Sequence, residues 1–163
     1  MIFVAVGSNL NSNRAEEPAK NCDNAVKYLK QNFYIENVSS WYKSEPIPKS
    51  NQPWYVNGVI KLQTDINPFS LLKVLLKIEK DFGRERNMKN EARILDLDLI
   101  SYKNFIFHSD ILVLPHPRMH ERSFVLDPLK EIEPNWIHPV FKMSILRLKD
   151  KFVKNQKVYK IKK

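Results

Sequence analysis

The stretch RILDLDLI, residues 93–100, does most to restrict what this chain can fold into. In an extended strand side chains alternate between faces, so Leu95, Leu97 and Leu99 share one face while Asp96 and Asp98 share the other. Such alternation suits a half-buried strand with helices packed on one face and the aspartates on an open one, about 6.6 Å apart along the chain. Two unpaired carboxylates at that spacing repel, and a divalent cation bridging them removes the penalty. Hard oxygen ligands favour magnesium, which takes one or two carboxylates and completes its shell with water and substrate phosphates. A solvated strand face with salt bridges to nearby arginines is the alternative reading of the same pattern.

The loop ahead of this strand brings Arg84, Arg86, Lys89 and Arg93 within reach of the aspartates. Metal-holding carboxylates on one side and cations on the other are the two halves of a polyphosphate clamp. A long polar connection starting at Gly83 suits a loop that admits a nucleotide and closes over it. The chain has only three glycines, Gly7, Gly58 and Gly83, so neither a glycine-rich phosphate loop nor a dinucleotide fingerprint can be written.

The rest of the chain supplies a frame for that strand. Residues 2–6 (IFVAV) are short, apolar and β-branched, as a central strand should be. Ala25, Val26 and Leu29 give one helical stripe over about 15–31, with Pro18 near its first turn. Residues 34–43 and 54–63 read as strands, the second with Gly58 as a bulge. Asn67-Pro68 reads as an N-cap followed by proline at the first helical position, opening a helix with Leu71, Leu72, Leu75, Ile78, Glu79 and Phe82 at helical spacing and Gly83 at its end. The order β-α-β-β-α-β implies an α+β fold of ferredoxin-like type, an antiparallel sheet with both helices on one face. A hairpin over 105–107 and 111–114 and a short helix over 123–131, interrupted or ended near Pro128, follow.

One domain over residues 1–146 is expected, with a lysine-rich tail over 147–163. That tail holds eight Lys/Arg against Asp150 alone, most of the net charge of +9, and reads as a solvated terminus more readily than as a nucleic-acid arm. Cys22 is the single cysteine, which rules out an intramolecular disulfide and makes the cytoplasm the default compartment. The apolar run at the N-terminus is too short for a secretory signal or a membrane span.

Two further clusters carry chemistry. Tyr55 and Asn57 share a strand face, a flat aromatic beside an amide that donates and accepts together, and Phe124 offers a second aromatic. An aromatic sandwich with one such amide suits a flat nitrogen heterocycle, although each aromatic taken singly also suits a core. In LPHPRMHER, residues 114–122, the cluster of His116, Arg118, His120 and Arg122 has no ligand register for zinc and reads as anion contacts.

The motifs VGSNL (6–10), SSWYKSEP (39–46), QPWYVN (52–57), IEKDFGRER (78–86), RILDLDL (93–99), PHPRM (115–119) and Arg122-Ser123-Phe124 occur together and in order. On these the chain resembles the 6-hydroxymethyl-7,8-dihydropterin pyrophosphokinases, which move a diphosphate from ATP to a pterin alcohol in the folate pathway. The resemblance implies two Mg2+ ions on Asp96 and Asp98, arriving with ATP. It implies that Glu79, Arg84, Arg86, Lys89, Arg93, His116 and Arg122 bind ATP, with Arg84, Arg93, Asp96 and Asp98 catalytic. It places the pterin among Gly7, Ser44, Pro46, Ile47, Tyr55, Asn57 and Phe124. Residues 89–92 read KNEA where many members carry an aromatic and Gly-Pro. A monomer without membrane or nucleic-acid partners is expected. A module that stacks single-stranded bases is the rival reading, and it leaves two aspartates facing phosphate. Another magnesium-dependent phosphoryl or nucleotidyl transferase is a second rival, needing the aspartates without the aromatic pocket.

Overall fold

The computed structural model describes residues 1–10, 17–83 and 93–161. Its centre is β1 (Ile2–Ser8), apolar at nearly every position and buried along most of its length. After it come α1 (Pro18–Asn32), β2 (Tyr34–Val38), β3 (Tyr42–Ser44), β4 (Tyr55–Gln63), α2 (Pro68–Asp81) and β5 (Asp96–Tyr102). The hairpin β6 (Phe107–His108) and β7 (Val113–Leu114), a 3-10 turn at Met119–Glu121, α3 (Ser123–Ile132), α4 (Ile145–Phe152) and β8 (Val158–Lys160) complete the described chain. The main sheet runs β5-β1-β4-β3-β8, with β2 paired to the far half of β4, and every one of these pairs is antiparallel. Among the described residues this is an α+β fold with four α-helices. None of them is long and apolar enough to cross a membrane.

Local signals set several of these elements. Pro18 and Pro68 both open helices, where a missing N–H costs nothing, and Asn67 Oδ1 accepts from Ser70 N at 2.9 Å. Gly83, at φ 89°, follows the end of α2, in the left-handed region that glycine enters without strain.

The stretch read as one strand over 34–43 is two. β2 and β3 both pair with β4, and the chain breaks between them where Trp41 turns across Gly58. Gly58 is not a bulge: it pairs in regular register with Val6. Its role is clearance, because a Cβ there would stand 2.5 Å from two Trp41 ring carbons.

Both faces of the sheet are covered, which corrects the expectation of helices on one face alone. Ala25, Leu29, Leu71, Leu75 and Ile78 of α1 and α2 pack on Val4, Val6, Leu97 and Leu99. Leu126, Leu129, Ile145 and Leu148 of α3 and α4 pack with Trp136 and Met119 on Phe3, Val59 and Ile100 of the opposite face. Each such leucine contributes about 2 kcal/mol when fully buried. The reason lies in β5 itself, where the alternation stops after Asp98 and Leu99 and Ile100 are both buried. The second face is therefore apolar at one end and polar only at the other.

The helix α3 runs through Pro128 instead of stopping near it, giving up the hydrogen bond to the Phe124 carbonyl in exchange for a buried ring. Of residues 147–163, those described supply most of α4 and all of β8: Leu148 is buried in the second core, and Val158 pairs with Ser44.

Candidate active site

The polar end of the second face is assembled by strand register. Gly7 stands opposite Asn57 on β4 and opposite Asp96 on β5. A Cβ on Gly7 would lie 3.1 Å from Asn57 Oδ1, 3.9 Å from Asp96 Cβ and 4.0 Å from Tyr55 Cδ1. Two of the heterocycle-binding candidates, Tyr55 and Asn57, therefore meet the first aspartate over one residue without a side chain. Asn57 and Ser44 are both buried, and Asn57 Nδ2 donates to Ser44 Oγ at 2.7 Å. That bond fixes which way the amide faces, with Oδ1 toward Gly7. Pro46 is buried and Ile47 exposed on the segment after β3, while Phe124 lies on the first turn of α3 with the Arg122 guanidinium 5.6 Å from its ring centre.

Each aspartate already faces a cation. Arg93 reaches Asp96 Oδ2 at 2.6 Å, and Arg122 reaches Asp98 Oδ2 at 3.4 Å, with His116 Nε2 3.9 Å away. Burial works against the Arg93 charge, yet Asp96 holds its pKa above the usual arginine range. Burial pulls Arg122 the other way, below its ordinary value, with Asp98 opposing, and a guanidinium keeps its proton throughout. Burial, with the Arg122 charge adding to it, pushes the His116 pKa down to about 4. Its Nδ1 accepts from Arg118 N at 3.1 Å, so the neutral ring carries its proton on Nε2, the atom turned toward Asp98. His116 is thus a neutral donor at physiological pH and a poor base.

Among the described residues no group of three or more His, Cys, Asp or Glu side chains forms a metal cage. Two part-exposed carboxylates on one strand face are nonetheless the donor set that magnesium uses when phosphates and water complete its shell.

Three features place the aspartates. Glu79, 1% exposed on α2, accepts from Leu97 N at 2.8 Å, on the peptide unit between Asp96 and Asp98. Asn9, buried just past β1, accepts from Arg93 N at 2.7 Å and donates to Gln52 and to the Pro53 carbonyl. His116 N donates to the Ile100 carbonyl at 2.8 Å. The sequence analysis gives Asn9 no role of its own, although it lies in the motif VGSNL (6–10). Also missed is a cavity of about 260 Å3 beside Asp98, with Leu72, Leu76, Leu99, Ile111 and His116 in its lining.

The predicted anion cluster divides. His116 and Arg122 approach Asp98, and exposed Arg118 faces Glu121 at 3.9 Å. His120 instead packs edge-on against Phe141 and Phe152, 4.8 and 4.9 Å between ring centres, so its ring belongs to the α4 layer. Arg84, Arg86 and Lys89 lie outside the described residues.

Comparison with known proteins agrees with this geometry. Residues 3–134 match the family described as 7,8-dihydro-6-hydroxymethylpterin-pyrophosphokinase (HPPK). The 2-amino-4-hydroxy-6-hydroxymethyldihydropteridine pyrophosphokinase of Haemophilus influenzae is 40% identical over 139 residues, covering 84% of each chain. The folic acid synthesis protein FOL1 of Dictyostelium discoideum is 38% identical over 149 residues, which are 91% of this chain but 22% of that longer protein. In structure, the HPPK-DHPS of Plasmodium falciparum superposes with a TM-score of 0.70 at 15% identity, over 93% of this chain and 43% of the other, a likeness of fold. With a family match over most of its length and relatives at this level of identity, the chain belongs to the 7,8-dihydro-6-hydroxymethylpterin-pyrophosphokinase family, the diphosphokinases that pyrophosphorylate hydroxymethyldihydropterin in folate synthesis.

Proposed function

We propose that this chain transfers the terminal diphosphate of ATP to 6-hydroxymethyl-7,8-dihydropterin at the polar end of the second sheet face. The observation that carries the reading is the convergence of Asn57, Tyr55 and Asp96 over Gly7, which sets a heterocycle wall against a phosphate site. In this reading the pterin lies along Gly7, Ser44, Pro46, Ile47, Tyr55, Asn57 and Phe124, its edge read by the Asn57 amide that Ser44 holds in place. The apolar cavity beside Asp98 takes the adenosine end of ATP, and His116 donates to a phosphate oxygen through Nε2. Arg93 and Arg122 turn from Asp96 and Asp98 to the phosphates, joined by Arg84, Arg86 and Lys89. Glu79 serves the nucleotide site by holding β5 in place.

Asp96 and Asp98 would hold two magnesium ions, which neutralise phosphate charge when bound. The pterin hydroxyl oxygen forms a bond to the β-phosphorus, the bond from that phosphorus to the α-phosphate oxygen breaks, and AMP leaves. The hydroxyl proton passes to water. No protein base is assigned, because positioning and charge neutralisation supply the rate and a neutral His116 is a weak base.

The strand order β5-β1-β4 with β2 and β3 beyond supports a ferredoxin-like β-α-β-β-α-β core, and residues 1–146 supply every proposed site residue as one catalytic domain. Since one chain supplies them all, a monomer suffices. Product analysis after mixing protein, Mg2+, ATP and the pterin alcohol tests the reading. Formation of AMP and pterin diphosphate that requires both pterin and Mg2+ is expected; ADP as product, or AMP without pterin, would overturn it.

A further inference from the structure

Arg122 occupies an unusual place for a residue of an active site: it is the N-cap of α3. Helix N-caps are normally Ser, Thr, Asp or Asn, whose short side chains satisfy the free N–H groups of the first turn. An arginine directed at Asp98 cannot do so, and Arg122 makes no side-chain cap. The missing partner comes from Gln156, beyond the residues that match the family. Its Oε1 accepts from Ser123 N at 2.8 Å and its Nε2 donates to the Glu121 carbonyl at 2.5 Å.

Those two groups belong to the two peptide units that flank Arg122. A single amide therefore fixes the backbone of Arg122 on both sides, at φ −112° and ψ 102°, and with it the direction in which the guanidinium leaves the chain. The delivery of Gln156 is itself built in. The chain leaves α4, turns at Asn155 with φ 52°, a conformation asparagine tolerates, and enters β8 directly after. Just ahead of the strand the Lys157 carbonyl accepts from Glu45 N at 3.4 Å, and within it Val158 pairs with Ser44, on the opposite wall of the site.

We infer that Gln156 is a positioning residue for Arg122, a cap supplied from a distant segment of the same chain so that the N-cap side chain is released for anion binding. The inference rests on the proposed phosphate role of Arg122. It explains why a segment outside the family match runs between the two walls: residues 156–158 tie the Arg122 turn to the Ser44–Glu45 segment.

A double-mutant cycle on the full chain tests it. Gln156→Ala is expected to lower kcat/KM for ATP about tenfold or more, the scale of loss when a residue that orients a site residue is removed. In an Arg122→Ala background the same substitution is expected to change it less than about twofold, because coupled residues are not additive. Equal losses in both backgrounds, or no loss in the first, would overturn the assignment. Amide exchange at Ser123 provides a readout free of catalysis: it is expected to accelerate in Gln156→Ala, and an unchanged rate would contradict the brace. Absence of pterin-dependent AMP formation by the unmodified chain would count against the proposed function instead, and the Ser123 amide would still decide whether the brace exists.

Discussion

Glu79 on α2 accepts a hydrogen bond at 2.8 Å from the backbone N–H of Leu97 on β5, and that N–H lies between the two aspartates of the site. That bond from a buried carboxylate ties the helix that ends at the cationic loop to the strand that carries Asp96 and Asp98. Glu79→Ala leaves that donor buried and unpaired, so a loss of about 1–3 kcal/mol in unfolding free energy is expected, together with reduced turnover. Glu79→Gln keeps an acceptor and should lose less of both. Urea unfolding and steady-state kinetics on the pair check this, and equal effects from the two substitutions would contradict the anchoring role.

Asn57 Nδ2 is committed to Ser44 Oγ while Oδ1 faces Gly7. Asn57→Ala removes the group proposed to read the pterin edge and is expected to weaken pterin binding by about 1.5–3 kcal/mol, roughly 10- to 150-fold. ATP binding should change little. Calorimetric titration with each substrate separates the two, and parallel losses would count against the pocket.

Gly58→Ala places a methyl group 2.5 Å from the Trp41 ring, which α1 holds through Asp23 at 2.9 Å. Overpacking of this kind costs about 1–3 kcal/mol. A lowered melting temperature is expected, and a Gly58→Ala, Trp41→Leu double variant should recover part of it.

Two imidazoles, buried His138 and half-buried His116, give the fold a pH dependence with a defined sign. His116 and His138 both have pKa values near 4 against an ordinary 6.5, burial being the main cause in each. Between those values the unfolded chain binds protons that the folded chain does not, so stability is fullest above about pH 6.5 and falls toward pH 4. Each histidine contributes a slope of at most about 1.4 kcal/mol per pH unit. For His138 the structural loss is explicit, since Nδ1 accepts from Val140 N and Phe141 N, both at 3.2 Å. Urea unfolding from neutral pH down to about pH 5 should show falling stability, and His138→Asn a shallower fall.

The elements legible in the sequence were those with a local, periodic cause. ILDLDLI gave away β5 and its two faces, and Asn67-Pro68 the start of α2, because alternation and capping act over a few residues. Tyr55 and Asn57 could be placed together for the same reason. Other features depend on residues far apart in the chain. The bond from Arg93 to Asn9 spans 84 positions, and the break between β2 and β3 answers to a ring lying over a glycine on another strand. The second helical layer was hidden because its signal is two consecutive apolar residues, Leu99 and Ile100, that end the alternation without saying what covers them. Single-residue chemistry also has more than one outlet: His120 and His116 are four apart in one basic motif, yet one ring packs with Phe141 and the other faces Asp98.

The central claim is that the aspartate face beside the pterin wall carries the transfer, and Asp98→Ala tests it most directly. Pterin-dependent AMP formation is expected to fall by about three orders of magnitude or more when the metal-holding carboxylate is lost, the scale set by removal of a principal charge-stabilising group. Pterin binding and the cooperative thermal transition should persist. Turnover close to that of the unmodified chain, with both substrates saturating, would contradict the account.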